Sequence, residues 1–253
     1  MGVADVILGI SIICGDNGIM ITQSHYIEKI LKKFDLEGTS PVSTPIDPTL
    51  KLLPNTGSAV YQLKYSSAIG CLMYAMTCTI PDIAYTVGKL SRFTSNLGSH
   101  HWQAVNRVFK YLKRTKDFGI TYTGFPSILE GYSDASWITI MEDLSSTTGW
   151  IFLLGGGVIS WASKKQICIT NSTMESQFVA LAVAGNEAEW LIVTCIMIGT
   201  KSSGSLDQGT SHGLGAQVGY WCGIEVHLNL SKWDTEFPST TTLGAEFNEE
   251  GLF

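Results

Sequence analysis

The chain has 253 residues, 45% hydrophobic and 15% charged, which is enough apolar material for the core of one large domain or two ordinary ones. A net charge of −6 argues against a plain electrostatic nucleic-acid binder. No apolar run reaches the ~18 residues of a membrane span, the longest, around Val6 to Cys14 and Trp190 to Ile198, being of core length, and no charged stretch of signal-peptide type opens the sequence. The charge is uneven: residues 1–200 hold 14 Lys/Arg against 15 Asp/Glu, and residues 201–253 hold 2 against 7, so the acidity belongs to the C-terminal stretch.

In chain order, Val6 to Ile13 reads as a strand. Gly15-Asp-Asn-Gly18 reads as a turn and Ile19 to Thr22 as the returning strand. Ser24 is placed to cap a helix whose stripe is Tyr26, Ile27, Ile30, Leu31 and Phe34, with Gly38 stopping it. Four prolines between Pro41 and Pro54 mark an extended surface linker. Tyr65 to Cys78 is an almost wholly apolar helix, with Met73 and Met76 as core filler. Pro81 and Asp82 open the next helix, with Ile83, Val87 and Leu90 facing inward, and Ser99 is placed to cap a third over 100–115.

That third helix divides cleanly. Trp102, Val105, Val108, Phe109 and Leu112 fall within about 120° of arc, and Arg107, Lys110, Lys113 and Arg114 within a separate arc of about 120°. Ile83 through Lys116 contains seven Lys/Arg and no acid. A solvated face is the bland reading of such a run. Charge of one sign beside Phe93, His100, His101 and Tyr111 is also what contact with a phosphate backbone requires.

Beyond residue 124, Ile128 to Tyr132 has strand character and ends at Asp134. Thr148 to Leu154 and Val158 to Ser163 flank Gly155-Gly-Gly157 as a hairpin, and Glu175 opens a helical run. A carboxylate on the first strand and one at the start of the helix can converge across a mixed sheet. Convergent carboxylates are what holds Mg²⁺ or Mn²⁺ in a phosphodiester hydrolase. Two structural alternatives stand beside this: Asp134 as a turn residue, and Ser172-x-x-Glu175 as a capping box. Six cysteines occur without Cys-x-x-Cys or zinc spacing, and read as buried free thiols in a reducing compartment.

Tyr132-Ser-Asp-Ala-Ser136, Ser146-Thr-Thr-Gly-Trp150, Leu153-Leu-Gly-Gly-Gly157, Ser160-Trp-Ala-Ser-Lys-Lys-Gln166 and Ser172-Thr-Met-Glu175 follow one another at the spacing of the ribonuclease H domain in copia-type retrotransposon Pol polyproteins, which this chain resembles. The resemblance implies metal-binding, catalytic roles for Asp134 and Glu175. Ile69-Gly-Cys-Leu-Met-Tyr74, Pro81-Asp-Ile-Ala-Tyr85, His101-Trp-Gln-Ala-Val105 and Tyr111-Leu-Lys113 resemble the thumb and connection of the same family's reverse transcriptase. Leu8-Gly-Ile10 resembles the strand after its polymerase site. The family's Tyr-x-Asp-Asp motif is absent, and so, after Trp190-Leu191, are its third catalytic Asp on an apolar strand and its late His.

The expectation is therefore an α+β chain. Residues 1–124 form a reverse-transcriptase remnant, 125–200 an incomplete ribonuclease H-like mixed sheet with a helix, and 201–253 an unrelated, disordered tail that supplies no strand. The expected function is that of a catalytically inactive Pol fragment. The alternative is a non-catalytic nucleic-acid-binding remnant that uses Arg107, Lys110, Lys113 and Arg114. Mg²⁺ or Mn²⁺ is the only cofactor implied and an RNA–DNA hybrid the only partner. Neither a membrane nor a small-molecule cofactor is expected, and the expected location is cytoplasmic or nuclear rather than secreted.

Overall fold

The computed structural model describes residues 5–16, 18–47, 49–50, 52–55, 62–124, 128–140, 144–202 and 226–230. They build an α+β structure of two compact units, one running to Thr121 and one starting at Tyr122.

The first unit begins with three strands, β1 (Val6–Ile7), β2 (Ile10–Gly15) and β3 (Gly18–Thr22), and takes β4 (Gly119–Tyr122) as the fourth strand of the sheet, in the order β1-β2-β3-β4. The single strand expected over 6–13 is broken in two. Leu8 and Gly9 have φ of 52° and 77°, and Ile7 pairs with Ile10, so the chain reverses in a two-residue turn with both residues left-handed. The second reversal, between Gly15 and Gly18, falls where the sequence placed it.

Helices α1 (Ser24–Lys33), α2 (Gln62–Cys78), α3 (Ala84–Leu90) and α4 (Ser99–Arg114) follow, with a 3-10 turn at Pro81–Ile83 leading into α3. Their apolar stripes meet in one core that includes Ile27, Ile30, Tyr65, Leu72, Ile83, Val87, Val108, Phe109 and Leu112. Tyr65 is buried and its hydroxyl donates to Leu90 O at 2.8 Å, which satisfies the one polar atom it brings into the core. Two expected caps are corrected. Ser24 and Ser99 are the first helical residues, and the N-cap positions belong to Gln23 and Gly98. At α4 the Gly98 N–H is taken by His101 Nδ1 at 2.9 Å, so a histidine ring, and not the hydroxyl of Ser99, secures the start of this helix. Met73 is exposed, which corrects its reading as core filler.

The second unit is a four-stranded mixed sheet with one long helix. β5 (Leu129–Ile140), β6 (Ser145–Leu154) and β7 (Gly157–Lys165) are antiparallel neighbours, and the sheet order is β7-β6-β5-β8. Gly155 and Gly156, with φ of 62° and 78°, make the hairpin turn between β6 and β7 that the glycine run announced. β8 (Val226–Leu230) lies parallel to β5, from Leu129↔Val226 to Ser133↔Leu230. This overturns the expectation that the C-terminal stretch supplies no strand. Val226, Leu228 and Leu230 alternate with His227 and Asn229, a period-two pattern that suits a strand. The tail expected to be disordered otherwise lies outside the described residues.

Helix α5 (Thr173–Ser202) lies against the sheet. Ala180, Ala184 and Ala188 repeat every four residues on its buried face, and Ala184, Ala188 and Leu191 pack with Leu129, Trp150 and Phe152. Small side chains there bring the helix backbone close to the two large aromatics. Met174, Phe178, Trp190, Val193 and Met197 of the same helix are exposed. Thr173–Cys195, 23 residues at a mean hydropathy of 1.4, is long and apolar enough to cross a membrane by length and composition. This corrects the expectation that the apolar segments are only of core length: scattered Glu, Asn and Gly interrupt the run without ending the helix. The cysteines are a further correction. Among the described residues Cys14 and Cys168 are exposed, and Cys71, Cys78 and Cys195 are half-buried rather than enclosed.

Candidate functional site

Asp134 stands in the body of β5 rather than at its end, opposite Gly149 of β6, and is 3% exposed. A carboxylate so enclosed needs donors. One comes from α5: Gln177 Nε2 donates to Asp134 Oδ1 at 2.7 Å and to Ala135 O at 3.3 Å. The helix start is fixed to the sheet by Gln166, whose Nε2 donates to Thr148 Oγ1 at 2.9 Å and to Ser176 O at 2.8 Å. The connection before the helix is held by Trp137 Nε1, which donates to Thr170 O at 3.0 Å, and by the Ser146–Thr170 hydroxyl contact at 3.2 Å. Neighbouring polar atoms remain without a partner among the described residues: Ser133 Oγ, Gln166 Oε1 and Gln177 Oε1.

Glu175, the other expected carboxylate, is exposed and engaged at the helix terminus. Its backbone N–H donates to Ser172 Oγ at 3.2 Å, and its Oε2 accepts the Asn171 N–H at 2.7 Å. This is the reciprocal arrangement of a capping box, with the carboxylate satisfying the donor one residue before the cap. Of the two carboxylates named from sequence, one is enclosed against α5 and the other caps that helix. Sequence reasoning missed Gln177. A neutral amide two residues past Glu175 carries no charge signal, although helical spacing from Ser172 does set it one and a half turns into α5.

The donors do not fit a divalent cation. Mg²⁺ and Mn²⁺ take hard oxygen ligands. Here the group from α5 that meets Asp134 is an N–H donor, and among the described residues no group of three or more His, Cys, Asp or Glu is placed to hold a metal ion. β8, the strand beside Asp134, reads Val-His-Leu-Asn-Leu and brings no carboxylate.

The basic face of α4 is divided in its use. Arg107 donates to Thr44 O at 3.2 Å and Thr44 Oγ1 at 2.8 Å, and lies 3.5 Å from Asp47. Lys113 Nζ donates to Glu37 O and, at 2.8 Å, to Thr39 O. Both cations thus pin the segment 37–47 onto the helix. Lys110 and Arg114 have no side-chain hydrogen bond among the described residues. Lys116 pairs with Glu28 at 3.1 Å, and that bond holds the Glu28 carboxyl below its usual range.

No family model matches the chain, and no solved structure does. Curated proteins do. The chain is 40% identical over 200 residues to the retrovirus-related Pol polyprotein from transposon TNT 1-94 of Nicotiana tabacum, covering 76% of this chain and 15% of that protein. It is 33% identical over 186 residues to the Pol polyprotein from transposon RE1 of Arabidopsis thaliana, covering 73% and 13%. It is also 45% identical over 130 residues to secreted RxLR effector protein 161 of Plasmopara viticola, covering 51% of this chain and 92% of that protein. The chain therefore spans about a seventh of the transposon proteins it matches, and by this similarity it belongs to the family of retrovirus-related Pol polyproteins of copia-type transposons.

Proposed function

We propose that residues 1–124 are the C-terminal part of a reverse transcriptase and that the unit carrying Asp134 is a ribonuclease H domain that no longer cleaves. The observation that carries this reading is Asp134 itself. It is enclosed on an inner strand of a mixed sheet, against the first turns of the long helix, and from that helix an amide, Gln177, donates to it. Metal-assisted cleavage of a phosphodiester needs anionic oxygen ligands for the ion that activates water and for the ion that stabilises the leaving oxygen. Among the described residues no group of three or more His, Cys, Asp or Glu is placed to hold an ion, and Glu175 is engaged in the helix cap.

The reading is tested by incubating the full chain with an RNA–DNA hybrid in Mg²⁺ and in Mn²⁺. No cleavage is expected. Cleavage that disappears in Asp134→Asn would restore the enzyme. A second reading is favoured by Lys110 and Arg114, whose side chains make no hydrogen bond among the described residues: the chain still contacts a hybrid, or another nucleic acid, without acting on it. Binding would then weaken with salt by counterion release. Lys110→Gln with Arg114→Gln should lower the salt slope by about two phosphate contacts, measured by fluorescence anisotropy. An unchanged slope makes these residues a solvated face. Arg107 and Lys113 are unsuitable probes, because removing them would release the 37–47 segment.

A further inference from the structure

We infer that Gln177, and not Glu175, stands in the position from which α5 addresses Asp134, and that its amide fills the place where a cation would otherwise sit. The inference rests on the ribonuclease H reading only for the choice of cation. Its geometric content is independent of that reading.

How each side chain is used decides between them. Glu175 is fully engaged in capping: one oxygen accepts the Asn171 N–H at 2.7 Å while its own N–H is held by Ser172 Oγ. Moving that carboxylate toward the sheet would abandon the cap and leave backbone donors at the helix terminus unsatisfied. Gln177 lies two residues further along, and its nitrogen spans two oxygens of adjacent residues, Asp134 Oδ1 and Ala135 O. Two oxygens, one of them anionic, converging on one point are the surroundings a hard cation seeks. Here the point is held by an N–H donor. At 2.7 Å the contact to the carboxylate has the length of a charge-assisted hydrogen bond. An amide nitrogen that donates its protons in this way offers no lone pair to a metal.

Exchanging the amide for a carboxylate of the same length would place two anions against each other in an enclosed site. Like charges at such range repel strongly when water is excluded. A divalent cation is the natural remedy. The single substitution Gln177→Glu should therefore destabilise the chain without a metal and create a metal dependence the natural chain lacks.

The test uses four full-length proteins: the natural chain, Glu175→Gln, Gln177→Glu, and Gln177→Glu combined with Asp134→Asn. Each is melted in EDTA and in Mn²⁺, and free Mn²⁺ is followed by electron paramagnetic resonance during titration. The natural chain and Glu175→Gln should bind Mn²⁺ equally weakly, with Glu175→Gln melting earlier in both conditions through loss of its cap. Gln177→Glu should melt earlier than the natural chain in EDTA, recover in Mn²⁺, and gain affinity for the ion by about tenfold or more. The double variant should lose both the gain and the recovery. A saturable Mn²⁺ site in the natural chain that vanishes in Glu175→Gln overturns the inference, as does a folded Gln177→Glu indifferent to Mn²⁺. If Gln177→Glu does not fold, the natural chain still decides by nuclear magnetic resonance. The Gln177 side-chain amide should exchange slowly with solvent and lose that protection in Asp134→Asn, and fast exchange in the natural chain refutes the contact. None of these readouts involves nucleic acid, so a failed hybrid assay and a failed Gln177 assignment remain distinguishable.

Discussion

At the start of α5, Ser172 and Glu175 satisfy donors that helix geometry leaves open, and Gln177 satisfies a buried acceptor on the sheet. The first pair is a stability device of known size. Ser172→Ala should cost about 1 kcal/mol, read as a lower urea midpoint with an unchanged slope. His101 offers a second test at this scale. Its ring is fully buried, stacked on Phe93 with centroids 4.2 Å apart, and its Nδ1 accepts the Gly98 N–H, so the neutral form carries its proton on Nε2. Burial, and then the neighbouring His100, push its pKa down from 6.5 to about 4. A depressed histidine favours the fold in its neutral state. Its contribution is complete above pH 6.5 and is lost as the pH falls through 4. Thermal melts between pH 7 and pH 4 should therefore decline more steeply for the natural chain than for His101→Gln. Parallel declines would mean that carboxylates alone govern the acid limb.

At the scale of elements, Gly119 makes a sharp demand. A Cβ at this position on β4 would lie 2.6 Å from Ile21 O, a backbone atom that cannot step aside. Gly119→Ala should destabilise the first unit by about 1–3 kcal/mol, as overpacking does, seen by circular dichroism in urea. What could be read beforehand follows the same physics. The stripes of α1 and α4, the hairpin glycines 155 and 156 and the apolar run of α2 were legible because one element's own periodicity decides them. The reversal at Leu8-Gly9 was not, since a leucine in the left-handed region carries no turn signal. β8 was passed over because five residues of alternating pattern sit in a stretch of Gly, Ser and Thr, and its stabilisation comes from β5, about 100 residues away. The cation pins Arg107–Thr44 and Lys113–Thr39 were hidden for a related reason. Helical spacing showed that these side chains leave the core but not which segment would cover them. The pairing of Asp134 with Gln177 needed the tertiary fold, because the Ser172-x-x-Glu175 motif two residues upstream accounts locally for the only charge in sight.

For the whole molecule, the two units have separate cores of unequal size. The first joins four helices through Ile27, Tyr65, Leu72, Ile83, Val108, Phe109 and further buried side chains. The second rests on Leu129, Trp150, Phe152, Ala184, Ala188 and Leu191, half of them on a helix that leaves Phe178, Trp190 and Met197 exposed. Hydrophobic stabilisation scales with the apolar area removed from water, so the second unit should unfold first and calorimetry should show two transitions. Phe109 and Phe152 are each fully buried, one in each core, and serve as probes. Phe109→Ala should lower the upper transition by about 3–5 kcal/mol and leave the lower one within about 0.5 kcal/mol, as expected for sites that share no partners. Phe152→Ala should do the reverse, melting the sheet and α5 while the helical unit persists. A single transition displaced by both substitutions would show that the units fold as one. The metal test at Asp134 and Gln177 would then have to be read against the stability of the entire chain rather than that of its second unit.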